Sequence, residues 1–239
     1  MSAATPAAGD PRSRARTVLK TESAFSACPD ALIDEILRHA KQGKVAKGET
    51  VCRQHDPGDS MMVVLSGSFK VTTLTAESKE VVLNFLKAGA IIGEIACFDG
   101  GERTANVVAL EPCEIVTFYR RDLLPILRKN PEAMFALIEA LTGRLRNMIA
   151  LVDSYSLETN ARVAGSLVRL AEAHGQATKQ GTAIDVKLSQ SDLGSHLGLT
   201  RETVSRTLGK FREQGLADTR GMTIVVLDLE GLRGLAEGG

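Results

Sequence analysis

Two short stretches carry the residue types that do recognition chemistry. In the first, Gly93-Glu94-Ile95-Ala96-Cys97-Phe98-Asp99-Gly100-Gly101-Glu102-Arg103-Thr104, a glycine leads into a short helical turn whose free backbone N–H groups favour an anion. Arg103 follows after a short loop, and its planar guanidinium suits a phosphate gripped through two parallel N–H bonds. Glu94 is electrostatically wrong for a phosphate but right as an acceptor for ribose hydroxyls. An ordinary surface loop with one Glu and one Arg fits the same letters equally well.

The second stretch runs from Leu188 to Gly221. Ser189-Gln190-Ser191-Asp192 has the form of a capping box, Leu193 and Leu197 face a core, and Gly198 supplies a tight turn before Thr200 caps another helix. Two short helices joined in this way make a helix-turn-helix. On the second helix Val204, Leu208 and Phe211 share one side, while Glu202 and Arg206 stand one turn apart on the other, beside Arg201. Arginine engages guanine O6 and N7, and glutamate accepts from cytosine N4, so this trio suits base reading. The competing reading is a solvated amphipathic helix with unremarkable charges.

These stretches need elements to hold them. Between Val45 and Tyr119, β-rich runs alternate with glycine turns. Met61 to Leu65, Phe69 to Leu74, Val81 to Leu86 and Asn106 to Leu110 each match a strand, with turns at Lys47-Gly48-Glu49, Asp56-Pro57-Gly58-Asp59 and Leu65-Ser66-Gly67-Ser68. An antiparallel β-roll follows. From Pro131 to Tyr155, Met134, Ile138, Leu141, Leu145, Met148, Val152 and Tyr155 recur at alternating spacings of four and three, a heptad stripe that predicts a helix pairing with a second copy. A single amphipathic helix on its own domain is the alternative. Leu137, Ile149 and Leu151 widen the stripe, so the helix is expected to pack on its own domain and on a partner together. Asn130 is expected to cap this helix, with Pro131 at its first position.

Around these, Pro29 to His39 reads as a short packing helix, and residues 1–22, rich in Ala, Pro, Ser and Arg, as a disordered tail. Ser156 to Asn160 breaks the heptad and reads as a hinge. Arg162 to Glu172 is helical, and His174 to Thr182 is an exposed polar connector. Leu216 to Leu227 turns at Arg220-Gly221 as a β-wing, and Asp228 caps a terminal helix.

The totals limit the function. The 239 residues carry zero formal net charge, which argues against a diffuse nucleic-acid-binding tail and leaves only a local patch. No apolar run approaches a membrane span and the first twenty residues lack a secretory core, so the expectation is a cytoplasmic protein without membrane contact. Cys28, Cys52, Cys97 and Cys113 are scattered, which fits reduced buried thiols and no metal site. His39, His55, His174 and His196 stand far apart beside no nucleophile, so no enzyme is expected.

Through these residues the chain resembles the cyclic AMP receptor protein family, which includes the fumarate and nitrate reduction regulators, over nearly its whole length after residue 25. Gly93-Glu94-Ile95-Ala96 with Arg103-Thr104-Ala105 is similar to that family's phosphate-binding cassette, and Thr200-Arg201-Glu202-Thr203-Val204-Ser205-Arg206 to its recognition helix. The resemblance implies an α+β chain. Its parts are a disordered tail at 1–22, a cyclic-nucleotide-binding β-roll at 23–130, a dimerisation helix at 131–156 and a winged helix-turn-helix at 157–239. It implies that Gly93, Ile95 and Ala96 present backbone to the ligand, Glu94 holds ribose, and Arg103 with Thr104 holds the cyclic phosphate. Ser189, Thr200, Arg201, Glu202, Thr203, Ser205 and Arg206 then face DNA, and Ala173 to Lys179 is a candidate contact to RNA polymerase.

Two departures leave the purine open. The best-studied cyclic AMP receptors have Ser after the cassette arginine and a Thr-Ser pair on the long helix, whereas Thr104 and Asn147-Met148 stand there in this chain. Asn offers a donor and an acceptor to either purine, and Thr104 resembles the residue that favours guanine in cyclic GMP-selective domains. Cyclic AMP leads by family frequency. Members that sense through iron–sulfur clusters carry an N-terminal cysteine cluster and usually lack this Glu-Arg pairing; this chain has the opposite pattern. A constitutive or thiol-redox regulator on the same fold, with Cys97 or Cys113 as sensor, is the alternative.

Overall fold

The computed structural model describes residues 11–238. The chain opens with helices α1 (Pro11–Thr21) and α2 (Asp30–Arg38), then strands β1 (Lys41–Val45), β2 (Thr50–Cys52), β3 (Ser60–Ser66), β4 (Phe69–Leu74), β5 (Glu80–Leu86) and β6 (Ile91–Ile92). Helix α3 (Glu94–Asp99), strands β7 (Asn106–Ala109) and β8 (Cys113–Tyr119), and helices α4 (Arg120–Lys129), α5 (Pro131–Ser154) and α6 (Thr159–His174) follow. Strands β9 (Gly175–Thr178) and β10 (Gly181–Ile184), helices α7 (Gln190–Leu197) and α8 (Arg201–Glu213), strands β11 (Ala217–Arg220) and β12 (Thr223–Val226), and helix α9 (Leu229–Glu237) complete it. The contacts form two bodies, one of residues 11–69 and 88–142, the other of residues 70–87 and 143–238.

In the first body an antiparallel sheet runs in the order β1-β8-β3-β6, with Lys41 opposite Thr117 and Met62 opposite both Thr117 and Ile92. The β2–β7 pair lies beside it in the chain's β-roll, with Thr50 opposite Val108. The Ser60–Ser66 run is apolar on both faces, and β3 is accordingly an inner strand buried along nearly its whole length. Met61, Val63, Val116 and Phe118 of this sheet share a core with Ile33 and Ile36 of α2, Leu127 of α4 and Leu137 of α5. β1 is a polar edge strand, exposed at four positions, and its charged sequence gives no periodic signal.

Residues 11–21 correct the expectation of a disordered tail, because α1 is helical there and belongs to the core; the rest of the tail, residues 1–10, lies outside the described residues. Ala15, Val18 and Leu19, spaced as one helical face, are buried. Arg16 bridges Asp30 and Asp34 of α2, and Lys20 donates to the Cys28 carbonyl. Three small-to-medium apolar residues are too few to show as a pattern, yet tertiary packing stabilises the helix once they are covered. Leu19 is 0% exposed, so Leu19→Ala is expected to cost about 2–5 kcal/mol of stability in denaturant unfolding, whereas a free tail predicts no change.

Asn130 also differs from expectation. Its side-chain nitrogen donates to the Ile126 carbonyl at 2.8 Å, closing the end of α4, while its backbone carbonyl accepts from Ala133 N. Helix α5 runs through Gly143 without interruption. Ala133, Leu137 and Leu151 are buried, whereas Ile138, Leu145, Met148, Ile149 and Val152 are exposed, so the expected stripe divides into a covered edge and an open apolar face.

The second body holds a sheet of order β11-β12-β10-β9, helices α6 to α9, and the neighbouring strands β4 and β5 from Lys70 onward. Helix α6 packs on α9, and Asp228 caps α9 by accepting from Gly231 N. The β-wing forms as β11 and β12, with Arg220 opposite Thr223. His174 to Thr182 is not a plain connector: β9 and β10 pair antiparallel, Thr182 opposite Ala177. Gly175 and Gly181 permit this, since a Cβ at either would lie 2.1 Å from a backbone carbonyl, of Ala171 and Val226 respectively. β9 is an exposed edge strand, which explains its polar texture.

Among the described residues no helix is long and apolar enough to cross a membrane.

Candidate functional site

Arg103 is built into the first body from both sides. Its backbone N–H donates to the Asp56 carbonyl and its carbonyl accepts from His55 N, so the 55–58 and 101–103 segments lie side by side. Arg103 is 8% exposed. Nη1 donates to the carbonyls of Ser60 at 2.7 Å and Gly93 at 2.8 Å, and Nη2 to Ser60 Oγ at 3.0 Å. Two glycines make room for it. A Cβ on Gly93, whose φ is +75°, would lie 2.2 Å from Arg103 Nη1, and a Cβ on Gly58 would lie 2.2 Å from the Ala96 Cβ.

Gly93 precedes α3, and Glu94, the helix's first residue, is 3% exposed. Ala96 is buried, Ile95 and Thr104 are exposed. The thiols of Cys52 and Cys97 feel both the Arg103 and Glu94 charges, which places these two ionic groups around one neighbourhood; burial pushes both thiols up. Six expected residues, Gly93 to Ala96 with Arg103 and Thr104, therefore come together in one body. Asn147 and Met148 are exposed on the part of α5 that belongs to the other body. Ser60 and Gly58 were not anticipated as site residues. The Asp56-Pro57-Gly58-Asp59 turn showed its chemistry in the sequence, but only the fold reveals that it cradles the guanidinium.

The helix-turn-helix is positioned by its caps. Ser189 Oγ accepts from Asp192 N at the start of α7, and Thr200 Oγ1 accepts from Thr203 N at the start of α8. Gly198, at φ +65°, ends α7, and Leu199 N donates back to the Gly194 carbonyl. A Cβ on Gly194 would lie 2.7 Å from the Leu199 carbonyl, so the turn is tight against the helix. Val204, Thr207, Leu208 and Phe211 are buried, and Arg201, Glu202, Ser205 and Arg206 are exposed on the opposite side. Ser189, Thr200 and Thr203 spend their hydroxyls on capping bonds, with Thr200 and Thr203 hydroxyls 3.0 Å apart.

Among the described residues no group of three or more His, Cys, Asp or Glu side chains is arranged to hold a metal ion. The four cysteines are buried and unpaired.

Comparison with known proteins agrees with both halves. The family model described as a cyclic nucleotide-binding domain matches residues 42–130, and that of a Crp-like helix-turn-helix domain matches residues 161–235. The cAMP-activated global transcriptional regulator CRP of Haemophilus influenzae is 30% identical over 199 residues, covering 82% of this chain and 88% of that protein. The solved structure of FixK2 from Bradyrhizobium japonicum is similar with a TM-score of 0.73 at 22% identity, over 82% of this chain and 96% of that one. The c-di-GMP responsive global regulator CLP of Xanthomonas campestris gives a TM-score of 0.69 at 23% identity, over 83% and 99% of the two chains.

Proposed function

The chain belongs to the Crp/Fnr family of transcription regulators, and from that membership we propose a homodimer that binds a cyclic nucleotide through Arg103 and Glu94 and then inverted-repeat DNA through α8. The observation that carries the effector half is the buried Arg103 guanidinium. Its three hydrogen-bond partners are neutral oxygens of Ser60 and Gly93, which satisfy N–H groups but add no negative charge. A cyclic phosphodiester brings one unit of negative charge in a geometry that suits a guanidinium. Glu94 accepts from the ribose, the backbone at Gly93, Ile95 and Ala96 and the hydroxyl of Thr104 border the ligand, and the family resemblance assigns Asn147 with Met148 on α5 to the purine.

Cyclic AMP is the favoured effector and cyclic GMP the next, because Asn147 suits either purine. Calorimetric titration with cyclic AMP, cyclic GMP and cyclic di-GMP separates them. The reading expects one mononucleotide site per protomer, and heat only from cyclic di-GMP, or from none, overturns it. A thiol-switched regulator is less well supported, since burial pushes Cys28, Cys52, Cys97 and Cys113 up and away from the reactive thiolate. The exposed β9–β10 tip is the surface proposed for RNA polymerase. No metal enters this account, and the protein acts in the cytoplasm by binding, not catalysis.

In the DNA half, Arg201, Glu202 and Arg206 read base edges, and a dimer sets two such helices about 34 Å apart, one helical turn. Arg206→Ala is expected to cost about 1–3 kcal/mol on the best site and to relax one position in each half-site. Selection of binding sites from a random library checks this. Equal weakening on all sequences instead marks Arg206 as a phosphate contact.

A further inference from the structure

Ser60 opens β3, the inner strand of its sheet, and stands opposite Tyr119 of β8. The carbonyl of the preceding Asp59 accepts from Arg120 N at 2.7 Å, so the strand entry is pinned to the end of β8 as well. The five residues that follow, Met61 to Leu65, are apolar and buried. Ser60 is buried with them, yet its hydroxyl and its carbonyl both face one guanidinium, that of Arg103. A side chain carried on a pinned inner strand holds its geometry better than one on a loop.

A guanidinium has five N–H donors in a rigid planar fork. Nη1 spends both of its own on the carbonyls of Ser60 and Gly93, and Nη2 spends one on Ser60 Oγ. Among the described residues these are the bonds the side chain makes, which leaves one N–H on Nε and one on Nη2. Ser60 engages Nη1 and Nη2 together and so occupies the end of the fork. The two remaining donors are then the parallel pair along its side, the arrangement that grips a phosphate through two bonds. We propose that Ser60 is a positioning residue for the ligand phosphate: its two oxygens hold the end of the Arg103 fork so that the Nε–Nη2 side meets the phosphate, and its hydroxyl fixes how the two exocyclic phosphate oxygens are told apart. This role rests on the nucleotide-binding reading above.

The three anchors are not equal. Two are backbone carbonyls on Nη1, which any residue at 60 and 93 supplies, whereas the anchor on Nη2 is the Ser60 hydroxyl alone. Removing that hydroxyl leaves Nη1 held and lets the guanidinium pivot about it. On the other side, a Cβ at Gly58 would lie 3.2 Å from Arg103 Nε, so the absent side chain there leaves the Nε side uncrowded. The two exocyclic oxygens of a cyclic nucleotide are inequivalent, and replacing one by sulfur, a weaker acceptor, gives two phosphorothioate diastereomers. A fork locked in one orientation meets them unequally. A pivoting fork loses the distinction.

The test titrates the full chain, by calorimetry, with cyclic AMP, cyclic GMP and the Rp and Sp phosphorothioates of whichever binds. Wild type is expected to favour one diastereomer by about ten-fold, the worth of one well-placed hydrogen bond. Ser60→Ala is expected to weaken the parent nucleotide about three- to ten-fold and to bring the diastereomers near parity, while Ser60→Thr, which keeps the hydroxyl, retains the preference. In wild type the Arg103 Nε resonance, identified by its loss in Arg103→Lys, is expected to shift on saturation with nucleotide. Unchanged binding in Ser60→Ala, or equal weakening of both diastereomers with the preference intact, makes the serine a structural support only and overturns the positioning role. An unmoved Nε resonance at saturation overturns it without needing any Ser60 variant to fold. Wild type that takes up neither nucleotide overturns the effector reading itself, and this role with it.

Discussion

Leu145→Glu is expected to convert the proposed dimer into monomers and to remove operator binding. Leu145 is 58% exposed at the middle of the open face of α5, so the substitution leaves the folding of each protomer nearly untouched. In the proposed dimer the position is covered by the partner helix, and each buried carboxylate loses its water at a cost of several kcal/mol per ion. Two linked recognition helices also gain avidity of about 10²–10⁴ over one, so operator affinity is expected to fall by at least that range. Sedimentation velocity reads the first effect and anisotropy the second, with thermal melting as the control for folding. An intact dimer in this variant removes α5 as the seam.

Arg103→Ala is expected to abolish the proposed nucleotide response. Hydrogen bonds to charged groups contribute about 1.5–3 kcal/mol each, and a guanidinium presents two to a phosphate, so nucleotide affinity is expected to fall about 10²–10³-fold or more. The change also strips donors from the buried Ser60 and Gly93 carbonyls, which adds a stability loss that must be separated from the binding loss. Arg103→Lys does this. It keeps the charge but not the fork, and is expected to retain the fold while still binding nucleotide much more weakly. Dimerisation and weak nucleotide-free DNA binding persist in both, because neither the α5 face nor α8 is altered.

The site was more legible than the scaffold around it. Gly93 to Thr104 and Ser189 to Arg206 stand out as candidates because their local backbone chemistry shows in the letters: a glycine at positive φ, hydroxyl caps, a guanidinium at fixed spacing. α1 did not, since its three buried apolar residues matter only against the rest of the core. Edge strands β1 and β9 read as polar loops because neither has a covered face to impose alternation. Asn130 has the right residue type for starting α5, yet its amide turns back to finish α4, a choice between neighbouring helix ends that local sequence does not decide. Ser60 was hidden for a different reason: its hydroxyl and its backbone carbonyl both accept from Arg103, but the carbonyl carries no signature of residue type and a lone serine hydroxyl does not mark a site.

The central claim is that nucleotide gates DNA binding. It is tested most directly by fluorescence anisotropy of wild-type protein on operator DNA across a cyclic AMP and a cyclic GMP series. Coupling of ordinary size tightens operator binding about 5–150-fold, and linkage requires that operator tighten nucleotide binding by the same factor. The account predicts that range with one of the two mononucleotides, lost in Arg103→Ala and weakened in Asn147→Ala. Equal operator affinity with and without either nucleotide contradicts it and leaves a constitutive or thiol-switched regulator on the same fold.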